Sequence, residues 1–573
     1  SSNTLTIRPA NGVAATISGT PANALIKLNG ADRVIIDGVN TGGRSLTLSN
    51  TNGTSAGIGI WIGSAGGDGA TFNTIRNCTI TGNSGTSTVA GIISSSGTTA
   101  GNAAEAANSN NTIQSCTFRK CQNAMFLIGN ATTLDQNWLI TQNTMGSTLT
   151  AEKGFRGIAI QNAQSFTISF NIITGVTSAT SATASGILVG ATLSGGSIFK
   201  NKIRDVSNTN TGGWGSNGIL INTSSVTANV NVYDNFISEV FSYGFLTSAG
   251  VADNGYGIII NGGGGYSIYH NTVHMNTNQT VNGLPAAFNV TSGVTAAGSI
   301  DLRDNIFTNS QTIGTQRYSI YSGAANTVFS NINYNDYYTT GPNLGFIGSN
   351  RSNLAAIQTG FGGNINSLNI QPSFVSATDL HLNTNANPGL DNTGTPIGTV
   401  TVDIDNDNRS VTTPDIGADE FTFIGYCPGS NVTYVSSISG TAYQWQVDIG
   451  SGFTNITDGA VYGGTATNTL TLTAPPTSYN RYKYRCMVDV TNFSVVTTYK
   501  VGVTWTGATN TSWSLAGNWS CSTIPDQYTD VFINPGVTNY PSVGQNVTVR
   551  SVTASPGTTI TIATGFTITL TGL

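Results

Sequence analysis

Charge is what this sequence has least of. Lysine, arginine, aspartate and glutamate make up 8% of its 573 residues, against about a quarter in an ordinary soluble domain. The net charge is −5 and no Lys/Arg cluster is present to neutralise a row of phosphates, which argues against nucleic-acid binding. Cysteines number six, with no C-x-x-C pair and no Cys/His grouping at zinc spacing, so a structural zinc site is not expected. No apolar run reaches the length of about eighteen residues that reads as a membrane-spanning helix, and no long amphipathic helical pattern appears. The first residues, Ser1 to Ile7, read as a strand rather than as a basic and then apolar leader. The expectation is a chain from which a signal peptide has been removed, or a fragment of a longer one.

What is abundant is glycine, 70 residues, together with asparagine, threonine and serine. These suit turns and stacked strands better than helices. A chain this long exceeds one compact core, so several domains or an elongated repeat are expected.

A short phrase recurs. Gly157-Ile158-Ala159-Ile160 is followed by Ile168-Ser169-Phe170-Asn171-Ile172-Ile173. Gly186-Ile187, Gly218-Ile219 and Gly257-Ile258 open further copies. The asparagines that precede an apolar residue, Asn143, Asn171, Asn201, Asn235, Asn271, Asn305 and Asn335, are spaced 28, 30, 34, 36, 34 and 30 residues apart. Asn77 and the variant Ser115-Cys116-Thr117-Phe118 continue the register. Fixed spacing within a unit and variable spacing between units means strands that stack and turns that bulge, which is a parallel β-helix.

Ile198 and Ile203 can both face inward only if the chain bends between them. The asparagine is assigned to that bend, because it tolerates the left-handed conformation and its amide can bond the same group one coil away. The expectation is an internal ladder of Asn143, Asn171, Asn201, Asn235, Asn271 and Asn305 that satisfies buried polar groups.

The phrase resembles the right-handed parallel β-helix proteins of the pectate-lyase-like superfold. The run Asp379-Leu380-His381-Leu382, Asn387-Pro388, Asp403-Ile404-Asp405-Asn406-Asp407-Asn408-Arg409 and Asp415-Ile416-Gly417-Ala418-Asp419-Glu420 resembles the closing segment of secreted bacterial members, with Asn406 where glycine is usual. Residues 422–503 place Cys427, Trp445 and Cys486 in an immunoglobulin-like order, with Tyr484 at the tyrosine-corner position. They resemble Ig-like modules of surface proteins of Bacteroidota. That resemblance implies a Cys427–Cys486 bridge, with Cys521 as the competing partner. Residues 504–573 resemble a module found before the sorting domain of proteins exported by the type IX secretion system. The fold class expected is therefore all-β: a right-handed parallel β-helix (1–421), an Ig-like β-sandwich (422–503) and a small β-rich module (504–573), the last read also as the start of a second solenoid.

Many relatives of this superfold cleave acidic polysaccharides, but the N-x-D, D-D, G-H-G and R-I-K phrases of the polygalacturonase-like ones are missing. Asp205, Asp234, Glu239, Asp301, Arg303, Asp304 and Asp336 lie in the repeats, and Asp234, Asp304 and Asp336 adjoin the repeated asparagine. The reading preferred for them is solvated bends. His270 and His274 are placed to share a strand face, for a metal or general-base role, with no carboxylate in sequence to orient them. No catalytic residue is assigned. Asp403, Asp405 and Asp407, three carboxylates at alternate positions, suit a calcium loop; the other reading is a capping turn in which Arg409 pairs with an aspartate. Trp505, Trp513 and Trp519 form either a sugar-stacking platform or, preferentially, the core of a small module.

The functional expectation is a non-enzymatic protein of the cell exterior or surface, an adhesin or glycan-binding rod. It would meet extracellular glycans, other surface proteins, and a secretion machinery that acts through a sorting domain outside this sequence. The alternatives are a polysaccharide lyase or glycoside hydrolase, and a structural filament subunit. Binding is placed in the inserted turns, Ser207 to Trp214 and Asn276 to Phe288.

Overall fold

The computed structural model describes residues 3–39, 43–436, 438, 440–494 and 496–572. The chain is nearly all-β and divides into two compact units. One comprises 1–381 and 389–420, the other 382–388 and 421–573.

The first unit is a parallel β-solenoid. One coil runs from Val230–Tyr233 on a first face, through Phe236–Ser238 on a second, to Gly255–Ile260 on a third. Each of these strands pairs in parallel with its counterpart one coil on. Two long strands, Arg156–Ser169 and Ala184–Phe199, cross from the third face into the first without a break. They join those two faces into a 22-stranded sheet, while the second face is a 12-stranded sheet.

Strand alternation fills the interior with stacked identical or similar residues. Ile158, Ile187, Ile219, Ile258, Phe288 and Ile320 sit in register one above another, all at 0% exposure. Each such side chain contributes roughly 1.5–3 kcal/mol relative to exposure. The core is closed by the helix Leu354–Phe361, whose spacing turns Ile357 and Phe361 onto it. Asn353 caps the helix by accepting from the Ala356 N–H, and Gly362 stops it with φ 73°.

The corner between first and second faces corrects one expectation. The left-handed residue is not the asparagine but the residue before it: Gln142, Phe170, Lys200, Asp234, His270, Asp304 and Tyr334, with φ between 49° and 59°. That residue turns the chain, so Ile198 and Ile203 both reach the core. The asparagine that follows is then directed inward and bonds along the axis.

In the second unit, Val432–Val435, Thr469–Leu472 and Tyr462–Gly463 form one antiparallel sheet, and Tyr443–Asp448 with Lys483–Val488 lies at the centre of another. Trp445, Tyr484, Leu470 and Leu472 share their core. The expected Cys427–Cys486 bridge is not formed. Cys427 bonds Cys521, with Cα atoms 5.6 Å apart. Cys427 lies in a turn ahead of the first strand, whereas Cys486 is a free, buried residue in mid-strand opposite Trp445. Beyond residue 503 the strands pair in parallel again, Gly502–Thr504 with Asp530–Ile533 and that with Ser551–Ala554. Trp505, Trp513 and Trp519 are at most 2% exposed and pack on one another at 4.7–6.5 Å, which makes them core.

Candidate functional site

The six asparagines come together as a continuous ladder. Each Nδ2 donates to the Oδ1 of the next: Asn143 to Asn171 at 3.0 Å, Asn171 to Asn201 at 2.9 Å, and onward through Asn235, Asn271 and Asn305 to Asn335 at 2.9–3.0 Å. The same Oδ1 also accepts the backbone N–H one coil back. Upstream the column is continued by Cys116, whose N–H donates to Asn143 Oδ1, and downstream Ser367 Oγ accepts from Asn335. Cys78 is in register with the column through Cys116. Asn77 is not in it: with φ 57° it occupies the left-handed position.

After the capping helix the chain turns back as a strap over the second face. Ile370 N–H donates to Asp336 Oδ1 at 2.8 Å, Phe374 lies on His274 at 5.0 Å, and Leu380, Ile404 and Ala418 cover Phe236. Ile397 and Val400 cover Tyr269. The strap thus crosses coil after coil towards the start of the chain.

Under it lie the aspartates assigned to solvated bends. Asp234, Asp304 and Asp336 are instead all at 0% exposure. The solenoid alone would leave that corner open, and the strap encloses it. Arg409 reaches in from the strap and donates to Asp234 Oδ1 at 2.7 Å, to the Gly417 carbonyl at 3.1 Å and to Glu420 at 3.3 Å. Asp304 Oδ1 accepts the Thr395 N–H at 2.8 Å. Ala418 N–H donates to Thr272 Oγ1 at 2.9 Å and Gly417 N–H to the Asp304 carbonyl at 2.8 Å. Burial pushes the Asp234 carboxyl up to about 7, against the opposing pull of Arg409. Burial likewise raises Asp304 and Asp336 to about 8 each, opposed by the N–H groups of Thr395 and Ile370.

His270 follows the same corner, fully buried, with Nε2 3.8 Å from Asp304 Oδ2. Burial holds its pKa well below the usual histidine value. His274 does not share its surroundings. It lies on the second face, with Nε2 2.9 Å from Ser310 Oγ, and burial lowers its pKa to about 4. The remaining charged residues of the repeats are tied locally, Asp205 to Lys153 at 2.5 Å, Glu239 to Arg204 at 3.4 Å and Asp301 to Arg303 at 2.7 Å.

Asp403, Asp405 and Asp407 do not converge on a common point. Asp403 is buried and spends its oxygens on backbone, accepting from Asp405 and Asp407 N–H through Oδ1 and from Glu420 N–H through Oδ2, at 2.8–2.9 Å. This is the capping turn, and Arg409 pairs with an aspartate, though with Asp234 of the solenoid. Asp405 instead accepts from His381 Nε2 at 2.5 Å, and Asp379 accepts from Nδ1 of the same ring. Held chiefly by Asp405 and also by Asp379, His381 has its pKa raised to about 9.

The third face has the opposite chemistry. Its strands carry no aspartate or glutamate among the described residues. On its side away from the core run Trp61, Ile93, Phe126, Ala159, Leu188, Leu220, Ile259, Asn289, Tyr321 and Phe346 in consecutive register; Phe126, Tyr321 and Phe346 are half-buried and the others are buried. Tyr321 and Phe346 stack at 4.6 Å and are half-buried. Lys27 stands over Trp61 at 4.0 Å and Arg156 over Phe155 at 4.7 Å. The inserted turns chosen from sequence flank this face: Ser207 and Asn208 end a strand, and Ala286–Phe288 begin one. Together with 243–254 and 310–317 they stack as a ridge, Gly213 against Phe245, Gly244 against Val281 and Gly314 against Asn282. Phe245, Leu246, Val281 and Ile313 are exposed on it.

These features define a parallel β-solenoid closed by a returning strap, followed by β-rich sheets. Residues 504–573 match a protein family described as a domain of unknown function (DUF8693). No curated protein matches the chain.

Proposed function

We propose that the protein is a non-catalytic rod of the cell exterior that binds a glycan along the third face of its solenoid. The observation that carries this reading is a third face whose strands bear aromatic rings and no carboxylate among the described residues. Glycoside hydrolysis needs two carboxyl groups roughly 5–9.5 Å apart across one sugar-binding groove. Asp234, Asp304 and Asp336 lie instead under the strap, whose backbone N–H groups and Arg409 occupy them. The third face presents the half-buried, stacked rings of Tyr321 and Phe346, with Phe126 and Arg156 further along it, a surface suited to stacking on a sugar chain. The inserted turns form one wall of that surface.

Export by the type IX system and a Bacteroidota source belong to the same proposal. They rest on the resemblance of the closing segment and of residues 422–573, including an immunoglobulin-like reading of the antiparallel sheets. The test is a glycan-array screen of the intact chain, paired with an assay for new reducing ends or unsaturated products on pectins, alginate and glycosaminoglycans. Binding without product, weakened about tenfold by Tyr321→Ala or Phe346→Ala, is the expected result, since one stacking ring is worth roughly 1–1.5 kcal/mol. Product formation would refute the reading.

A further inference from the structure

Three atoms of metal-ligand type converge where the strap folds on itself. His381 offers ring Nε2, and Asp405 and Asp419 each offer a carboxylate oxygen. All three lie within 4.8 Å of one another. They come from separate stretches, so the strap's fold and not local sequence assembles them. First-row ions bind nitrogen and oxygen at about 2.0–2.2 Å, which sets neighbouring ligand atoms roughly 3–4 Å apart, a spacing these side chains reach by small rotations.

Two further observations lie outside the trio. The other ring nitrogen of His381 is bonded to the carboxylate of Asp379. A carboxylate on the distal nitrogen is the arrangement that fixes the tautomer and orientation of a metal-ligating histidine. A cleft of about 150 Å³, lined by Lys202, Arg204, Phe236, Asp379 and His381, opens beside the ring, so the histidine is reached from solvent. Asp405 is exposed and Asp419 buried, so one ligand faces solvent while another is fixed.

We infer that His381, Asp405 and Asp419 form a site for a divalent transition-metal ion, with Asp379 orienting the histidine and water completing the coordination. The mixed nitrogen and oxygen donors select zinc, cobalt or manganese over calcium, which takes six to eight oxygens. Two carboxylates balance the charge of such an ion. Lys202, 3.8 Å from the Asp405 Oδ1 atom, takes up the remaining oxygen of that carboxylate. The site pins the turn at 379–381 to both halves of the closing motif.

The test is titration of the EDTA-stripped intact chain with cobalt(II), followed by zinc competition. One equivalent of cobalt is expected to give a visible d–d absorption that zinc abolishes. Asp405→Asn, a change at an exposed residue, and His381→Gln should each weaken cobalt binding at least tenfold, with unchanged circular dichroism. A folded protein that gives no cobalt spectrum overturns the inference. So does cobalt binding that both variants leave intact, and so does calcium binding that cobalt cannot displace.

Discussion

Two neighbouring columns of the solenoid obey different rules. The asparagine ladder repeats one residue along most of its length, and every rung makes the same bonds. The column immediately before it, left-handed throughout, holds Gln142, Phe170, Lys200, Asp234, His270, Asp304 and Tyr334. Backbone geometry repeats from rung to rung within each column, but chemistry repeats only in the first. The ladder faces a core that is the same at every level, so one amide solves every level. The outer column faces whatever covers it, and its side chains vary with the cover. Where the strap lies, they are Asp234, His270 and Asp304. Stacking is therefore specified by the invariant column and docking by the variable one.

The largest effect should come from breaking the ladder in its middle. In Asn235→Ala the N–H and Nδ2 of Asn201, the carbonyls of Ile198 and Tyr233 and the Asn271 Oδ1 each lose a partner in a buried setting. A loss of roughly 5 kcal/mol is expected, read as a lowered urea midpoint. A change under about 1 kcal/mol would show that water replaces the amide.

Breaking the outer column should be more local. Arg409→Met leaves the Asp234 carboxyl buried without its cation, at a cost of about 3 kcal/mol. Amide exchange should accelerate across 389–420 and stay slow in the coil strands. Equal acceleration everywhere would mean that the strap and the solenoid unfold as one.

The corner under the strap gives a pH dependence of defined sign. Asp304 and Asp336 have folded values near 8, above their unfolded values of about 4. Their contribution is thus full below about pH 4 and is lost as pH rises to about 8. His270, lowered by burial, acts oppositely, with stability falling as pH drops below about 6.5. Two carboxylates outweigh one histidine between about pH 4 and 6.5, so strap protection should peak near pH 4. Asp336→Asn, which keeps an acceptor for Ile370, should flatten the alkaline limb, and a limb that persists unaltered would exclude Asp336 as its source.

The smallest effect would extend the ladder. Cys116→Asn places an amide in register with Asn143, and a gain of up to about 1 kcal/mol is expected. A destabilised variant would mean that the column is too tightly packed there for the larger side chain.

What could be read in the sequence follows the same division. Ile158, Ile187 and Ile219 announce the core because their spacing is local and repeats. The ladder asparagines are legible for the same reason. The strap is not. Arg409 meets Asp234 across 175 residues and Ala418 meets Thr272 across 146, and no periodicity links them. Without the strap, Asp234, Asp304 and Asp336 read as ordinary polar bends. The alternation at Asp403, Asp405 and Asp407 suits a calcium loop, yet Asp403 faces its own backbone. His381 acquires two carboxylate partners only once the closing motif is folded. The immunoglobulin-like order of Cys427 and Cys486 pointed to a bridge that the position of Cys427, ahead of the first strand, does not permit.

The returning strap also decides how the molecule would bear tension. The chain leaves the solenoid unit at Glu420, whose carboxylate and N–H are held by Arg409, Ser410, Asp415 and Asp403. A pull on the residues that follow is taken up at the coils of Asp234 to Asp304, in mid-array. The bonds of Arg409 to Asp234 and Glu420 lie on that route, and the final coil does not.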